Sequence, residues 1–368
     1  VKSHYKISRS SAGLPLDPGD EFGRAVRELG DWDQDGVPDV MVSADKDDDN
    51  GTDKGAFYLL FLNTDGSVKQ WKKVSETAGG FRGDLDPYDL FGRGLRVLGD
   101  LDLDGVPEIG SGAVWDDDGG SNRGAYWILF MNRDGTVKAW NKLSSSSGNF
   151  WLTPLSSYGE FGFDCVVLGD RDGDGIQDIA ISSPDQKTDG NQQGAVFVVY
   201  MNRNGSAKAI TRITENYASF NGTMLDFNDE FGCALDSVGD LDGDGIEDLA
   251  VGAGKDDDGP AGSFDRGALY ILFLNANATV KGWQKISRTT GRFYANIDNA
   301  DRFGTSLCSP LDLNGDGIED LFAGSRFDDD AGSGSGSLYF LALNDGSFTP
   351  PEAKFNFAPG RGKAPTWC

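Results

Sequence analysis

Histidine is almost missing from this chain: His4 is the only one in 368 residues. A Ser-His-Asp or Cys-His nucleophilic site is thereby excluded as its organising chemistry. The four cysteines (Cys165, Cys233, Cys308, Cys368) show no Cys-x-x-Cys or Cys/His spacing, which removes zinc. Long apolar runs are lacking too. Stretches such as Ala125–Met131 fit a buried strand and fall far short of the ~20 residues of a membrane helix. Basic residues are scarce, 33 against 59 acidic ones for a formal charge of -26, which argues against nucleic acid and anionic membranes as partners and in favour of cations.

What is abundant is aromatic and glycine. The chain has 23 Phe, 8 Trp and 10 Tyr, ample for a packed core, so its acidity does not mean disorder. Its 52 glycines imply many turns and hence many short strands. Phe-Gly recurs at Phe22, Phe91, Phe161, Phe231 and Phe303, and an acidic nonapeptide follows each. A repeat of about 70 residues therefore organises nearly the whole chain. Each unit reads as a short alternating stretch, the acidic loop, a β-rich run such as Ile179–Ser182, an Asp/Gly-rich turn and a Gly-Ala-aromatic run such as Gly55–Leu62. A hairpin signal (Asp65-Gly66, Asp134-Gly135, Asn204-Gly205) then opens a fourth strand such as Val68–Ser75. Four strands joined by tight turns, repeated at constant spacing and without an amphipathic helix, predict an all-β fold: a five-bladed β-propeller of four-stranded antiparallel blades.

The ends bear on closure. Val1–Ser8 matches the fourth-strand pattern of Val280–Ser287, while the last repeat degenerates after Ser337–Leu343. The expectation is a single propeller over residues 1–348, repeats starting near 22, 91, 161, 231 and 303, with 1–8 as the outer strand of the last blade and 349–368 as a tail. The alternative gives residues 348–357 that outer position, since an edge tolerates proline. A Cys308–Cys368 disulfide would tie the tail down. A chain opening on Val1 reads as a processed product or part of a longer protein.

The nonapeptides carry the chemistry. Oxygen ligands at positions 1, 3, 5 and 9, with a backbone carbonyl at position 7, wrap a hard cation, and a glycine at position 6 allows the sharp turn. The candidates are Asp31, Asp33, Asp35, Val37 and Asp39; Asp100, Asp102, Asp104, Val106 and Glu108; Asp170, Asp172, Asp174, Ile176 and Asp178; Asp240, Asp242, Asp244, Ile246 and Asp248; and Asp312, Asn314, Asp316, Ile318 and Asp320. Five such loops at one register outweigh the alternative of solvated acidic turns. An EF-hand would need a Glu at position 12 and flanking helices, and position 12 is instead Val42, Ser111, Ile181, Val251 or Ala323. Calcium, about five ions, suits these loops better than magnesium, which retains water in a tighter octahedron. The fifth loop, with Asn314 in place of an aspartate, is expected to bind most weakly.

Phe-Gly, then Asp-x-Asp-x-Asp-Gly-x-x-Asp, then a β-run ending near Gly-Ala (Val251-Gly252-Ala253), resembles the FG-GAP repeat of integrin α-subunit N-terminal propellers and of many secreted microbial and algal proteins. The resemblance implies a propeller whose acidic loop joins the first two strands of a blade and holds Ca²⁺. Integrin propellers have seven blades with calcium in only some, whereas this chain shows five repeats, every loop acidic. The implied function is a non-catalytic, extracellular adhesion, recognition or structural module, secreted or at the cell surface, part of a larger chain or assembly. Its ligand would be a protein or glycan, with neither nucleic acid nor membrane insertion. A lectin and a polysaccharide-active enzyme are the alternatives.

Other features have two readings each. The Asp-rich turns (Asp47–Asp49, Asp116–Asp118, Asp256–Asp258, Asp328–Asp330) are either solvated hairpins or further cation or ligand sites. Trp71, Trp140 and Trp283, at one outer-strand position, either cover a neighbouring blade or stack on sugars. Arg82-Gly83-Asp84 spells the tripeptide that integrins recognise, and the sequons at Asn50, Asn204, Asn221 and Asn277 suit a secreted glycoprotein.

Overall fold

The computed structural model describes residues 4–150, 153–221, 225–259, 262–309, 311–330 and 332–343. Each repeat becomes an antiparallel sheet with its strands side by side in chain order. The first blade holds β1 (Val26–Gly30), β2 (Asp39–Ala44), β3 (Ala56–Leu62) and β4 (Val68–Val74); the second holds β5 (Phe91–Gly99), β6 (Glu108–Ala113), β7 (Ala125–Met131) and β8 (Val137–Leu143). In the third, β9 (Cys165–Val167) and β10 (Ile179–Ser183) precede a small hairpin, β11 (Lys187–Thr188) and β12 (Asn191–Gln192), after which come β13 (Ala195–Met201) and β14 (Ala207–Ile213). The fourth holds β15 (Phe231–Ser237), β16 (Leu249–Ala253), β17 (Ala268–Leu274) and β18 (Val280–Ile286). Three strands of the fifth are described: β19 (Phe303–Cys308), β20 (Leu321–Ser325) and β21 (Ser337–Leu341). A single turn, α1 (Arg9–Ala12), is the one helix among the described residues. The fold is the expected all-β, five-bladed β-propeller.

The amino-acid pattern explains the stacking. The third strand β17 is apolar on both faces and wholly buried, because its blade carries a core on each side. Phe57, Leu59 and Phe61 of β3, for example, share one core with Trp127, Leu129 and Met131 of β7. The outer fourth strands are wetter: Lys69 and Gln70 of β4 are exposed, while Lys73 near its end is buried. Trp140 and Trp283 pack edge-on against Phe81 and Phe220, which follow the last strand of the preceding blade, as the covering reading expects, whereas Trp71 packs against Tyr58 of its own blade.

Two motifs of the repeat turn out to be two sides of one joint. Gly55 forms a parallel bridge with Phe91 of the next blade, as do Gly124 with Phe161, Gly194 with Phe231 and Gly267 with Phe303. At Gly55, φ is 91° and a Cβ would stand 2.1 Å from the Phe91 carbonyl oxygen, so only glycine fits.

The N-terminal expectation is corrected. Residues 4–8 form no strand beside β21; residues 1–3, and the tail expected at 349–368 with Cys368, lie outside the described residues. The local hydrogen bonds show why. The Ser11 hydroxyl donates to the Lys6 carbonyl at 2.5 Å, the Tyr5 hydroxyl donates to the Ser11 carbonyl at 3.0 Å, and Ser8 caps α1 with a capping box. The chain then reverses at Gly13 and lays Leu14 and Leu16 over Val42, Tyr58 and Leu60 of the first blade. On the fifth blade Leu338 stays 67% exposed, at a position whose counterpart in β17, Leu269, is fully buried.

Candidate metal centres

Each acidic loop links the first strand of its blade to the second. Its first aspartate builds the turn: Asp31 accepts the amides of Asp35 and Gly36, both at 2.9 Å. The other four loops repeat this pair of bonds. Position 5 accepts the amide of position 7, as Asp35 does from Val37 at 2.9 Å. The turn needs left-handed backbone twice, at position 6 (φ 88° at Gly36) and at position 4, which is glycine in the last three loops but Gln34 and Leu103 in the first two.

Position 9 is fully buried and fastens the loop to the third strand. Asp39 accepts from the Trp32 amide at 3.0 Å and the Leu62 amide at 2.9 Å; Asp178 and Asp248 do likewise with Arg171 and Met201, and with Leu241 and Leu274. Burial pushes these carboxyls up, Asp178 to about 6 and Asp248 and Glu108 to about 7, against the pull of their backbone donors.

In four loops positions 1, 3 and 9 converge. Asp31, Asp33 and Asp39 bring carboxylate oxygens within 4.8 Å of one another, as do Asp100, Asp102 and Glu108; Asp170, Asp172 and Asp178; and Asp240, Asp242 and Asp248. The fit to a hard cation shows in two oxygens, Asp33 Oδ1 and Glu108 Oε1, which are buried without a hydrogen-bond partner. Position 5 (Asp35, Asp104, Asp174, Asp244 and Asp316) stands outside these triads. The fifth loop forms no such triad among the described residues; the Asn314 side-chain amide instead donates to Asp320 at 3.1 Å.

Lysines complete the site, and the sequence reading missed them. Lys69 of β4 places its Nζ 2.6 Å from Asp33 and also against Asp35; Lys138, Lys208 and Lys281 bridge positions 3 and 5 of the next three loops. Hydrogen bonding to lysine lowers Asp35, Asp104 and Asp174. Four residues further along the strand, a second lysine occupies the Asp-rich turn: Lys73 sits 2.8 Å from both Asp47 and Asp49, Lys142 2.5 and 2.9 Å from Asp116 and Asp118, and Lys285 2.6 and 3.0 Å from Asp256 and Asp258. These three turns are therefore neither solvated hairpins nor open sites, because an ammonium already fills them. Lys-x-x-x-Lys in the fourth strand was the available signal. The third blade replaces the set together, with Gln186 for the first aspartate, Arg212 for the lysine and Gly159 for the buried acid seen as Asp89 and Asp229 elsewhere.

Cys165 and Cys233 are buried free thiols and Cys308 is an exposed one. Asn50, Asn204, Asn221 and Asn277 are all exposed. Among the described residues no helix is long and apolar enough to cross a membrane.

A propeller jointed Phe-Gly to Gly-Ala, with an acidic nonapeptide between the first two strands of each blade, is similar to propellers of FG-GAP type. The family model for the FG-GAP repeat matches residues 303–341. Integrin alpha-PS2 of Drosophila melanogaster is 34% identical over 171 residues, covering 46% of this chain and 11% of that protein. Integrin alpha pat-2 of Caenorhabditis briggsae is 25% identical over 323 residues, covering 85% of this chain and 24% of the relative. Phosphatidylinositol-glycan-specific phospholipase D of Rattus norvegicus is 29% identical over 215 residues, covering 58% of this chain and 24% of the enzyme. The chain thus spans a quarter or less of the length of these relatives.

Proposed function

We propose that this chain is a calcium-stabilised, non-catalytic propeller, extracellular or at the cell surface, acting as the adhesion or recognition module of a larger protein. The observation that carries it is the convergence of three carboxylates in each of four loops, with partnerless oxygens on Asp33 and Glu108. Asp, Asp and Asp/Glu side chains, with the carbonyls of Val37, Val106, Ile176 and Ile246, would hold the ions; the fifth set, Asp312, Asn314, Asp316, Ile318 and Asp320, would hold one more weakly. Bound calcium would neutralise the clustered acids and lock the turn between the first two strands. Similarity to integrin α chains supports the adhesion role, and the exposed sequons agree with an extracellular location. Four similar propeller loops plus a weaker fifth should appear in a titration of chelator-treated chain with calcium as at least four equivalents bound. Magnesium should compete poorly. Fewer than two equivalents, confirmed by elemental analysis, would overturn the reading.

A further inference from the structure

The first strands of the five blades and the residues beside them line a half-open axial cavity of about 460 Å³, whose lining carries four arginines (Arg24, Arg27, Arg93, Arg326) and one carboxylate, Asp164. In a chain of charge -26 this is a local reversal of sign. Asp164 is already committed: it lies 3.4 Å from Arg27 across the axis and accepts the Leu235 amide at 3.0 Å. Arg93 is paired with buried Asp45 and lies over the Phe163 ring at 5.7 Å. Arg24 has only a 3.5 Å contact with exposed Glu21. Arg326 stacks on Phe327 at 5.0 Å and has no ion-pair partner among the described residues. Burial, then the charges of Arg93 and Arg326, holds Arg24 below its ordinary range, against the pull of Asp45 and Glu21. Its volume is within the about 300–1,000 Å³ of small-ligand sites, and Arg24 and Arg326 leave positive charge at its open side.

We infer that this cavity binds the carboxylate of an acidic sugar. The anion would sit between Arg24 and Arg326, where a guanidinium fork matches a carboxylate. The Phe163 ring offers a face for the sugar's C–H surface, and Thr305 and Ser306, which share the lining, supply hydroxyls. This names the ligand of the recognition module proposed above and rests on that reading. The calcium titration tests that reading independently, so a calcium-loaded chain that binds no acid overturns this inference alone.

The test titrates the calcium-loaded full chain, by NMR or calorimetry, with D-glucuronate, D-glucose and N-acetyl-aspartate N-methylamide. Glucuronate should bind in the millimolar range or tighter, with glucose at least about tenfold weaker. Arg326→Gln, at an exposed position, and Arg24→Gln should each weaken glucuronate about tenfold at unchanged melting temperature, whereas Lys187→Gln should not. Equal binding of glucose, undiminished binding in both arginine variants, or no binding at all would overturn the inference. Preference for the aspartate derivative would also overturn it, in favour of a peptide carboxylate.

Discussion

Asp229 is a carboxyl held where charge is hard to keep: it is buried, its Oδ1 has no hydrogen-bond partner, and its pKa is pushed up to about 8. Burial is the main cause and the Asp256 carboxylate adds to it, against the Asp226 amide and Lys285. In the unfolded chain the same group titrates near ~3.9. The folded form therefore binds the extra proton between these values, and the stabilisation, complete below about pH 4, is lost as pH rises through about 8. Asp229→Asn keeps an acceptor for the Asp226 amide and cannot ionise. It should melt higher than the parent at pH 9 and gain much less at pH 5, where most of the stabilisation is still present, as thermal melts at the two pH values would show; equal melts at pH 9 would contradict the buried-proton account. An aspartate two residues before Phe-Gly recurs at Asp20, Asp89, Asp229 and Asp301, a signal the sequence reading passed over, but the spacing alone does not show that these carboxyls are buried. The loop aspartates were legible because they recur at fixed spacing. Their lysines were not, since pairing Lys69 with Asp33 depends on how the fourth strand lies beside the loop and not on proximity in the chain.

At the scale of the element, the strands of the first four blades were readable because alternation and Asp/Asn-Gly turns fix both period and register. The N-terminal segment was not. Val1–Ser8 has the period of an outer strand, but period specifies a conformation and leaves the partner open, and the bonds from Tyr5 and Ser11 favour a turn leading into α1. Its role in the structure comes from two residues that no pattern singled out. Leu14 is 1% exposed and covers the open face of the first blade. Leu14→Ala should cost about 2–5 kcal/mol in urea unfolding, the range for emptying a buried leucine site. A loss under about 0.5 kcal/mol, the level of an ordinary surface change, would show that the segment is not part of the core.

For the whole molecule, the calcium reading proposed above would make the ion a component of stability, because the clustered carboxylates sit on blades that share their cores. If each site has the roughly 0.1–1 mM affinity of extracellular modules, about 1 mM calcium contributes ~0.4–1.4 kcal/mol per site. Five sites give roughly 2–7 kcal/mol, comparable with the ~5–15 kcal/mol of a typical domain. Chelator should lower the melting temperature by many degrees, and calcium should restore it better than magnesium; a melt indifferent to chelator, in protein shown to be metal-free, would refute this. The Gly-Phe joint has a different consequence. Because the same glycine meets the same phenylalanine at all four described junctions, any blade presents to its successor the surface that its own predecessor presented to it. A whole unit can then be gained or lost by duplication or excision without a new contact having to be invented, so the number of blades is free to drift over descent while the chemistry of the junction stays fixed.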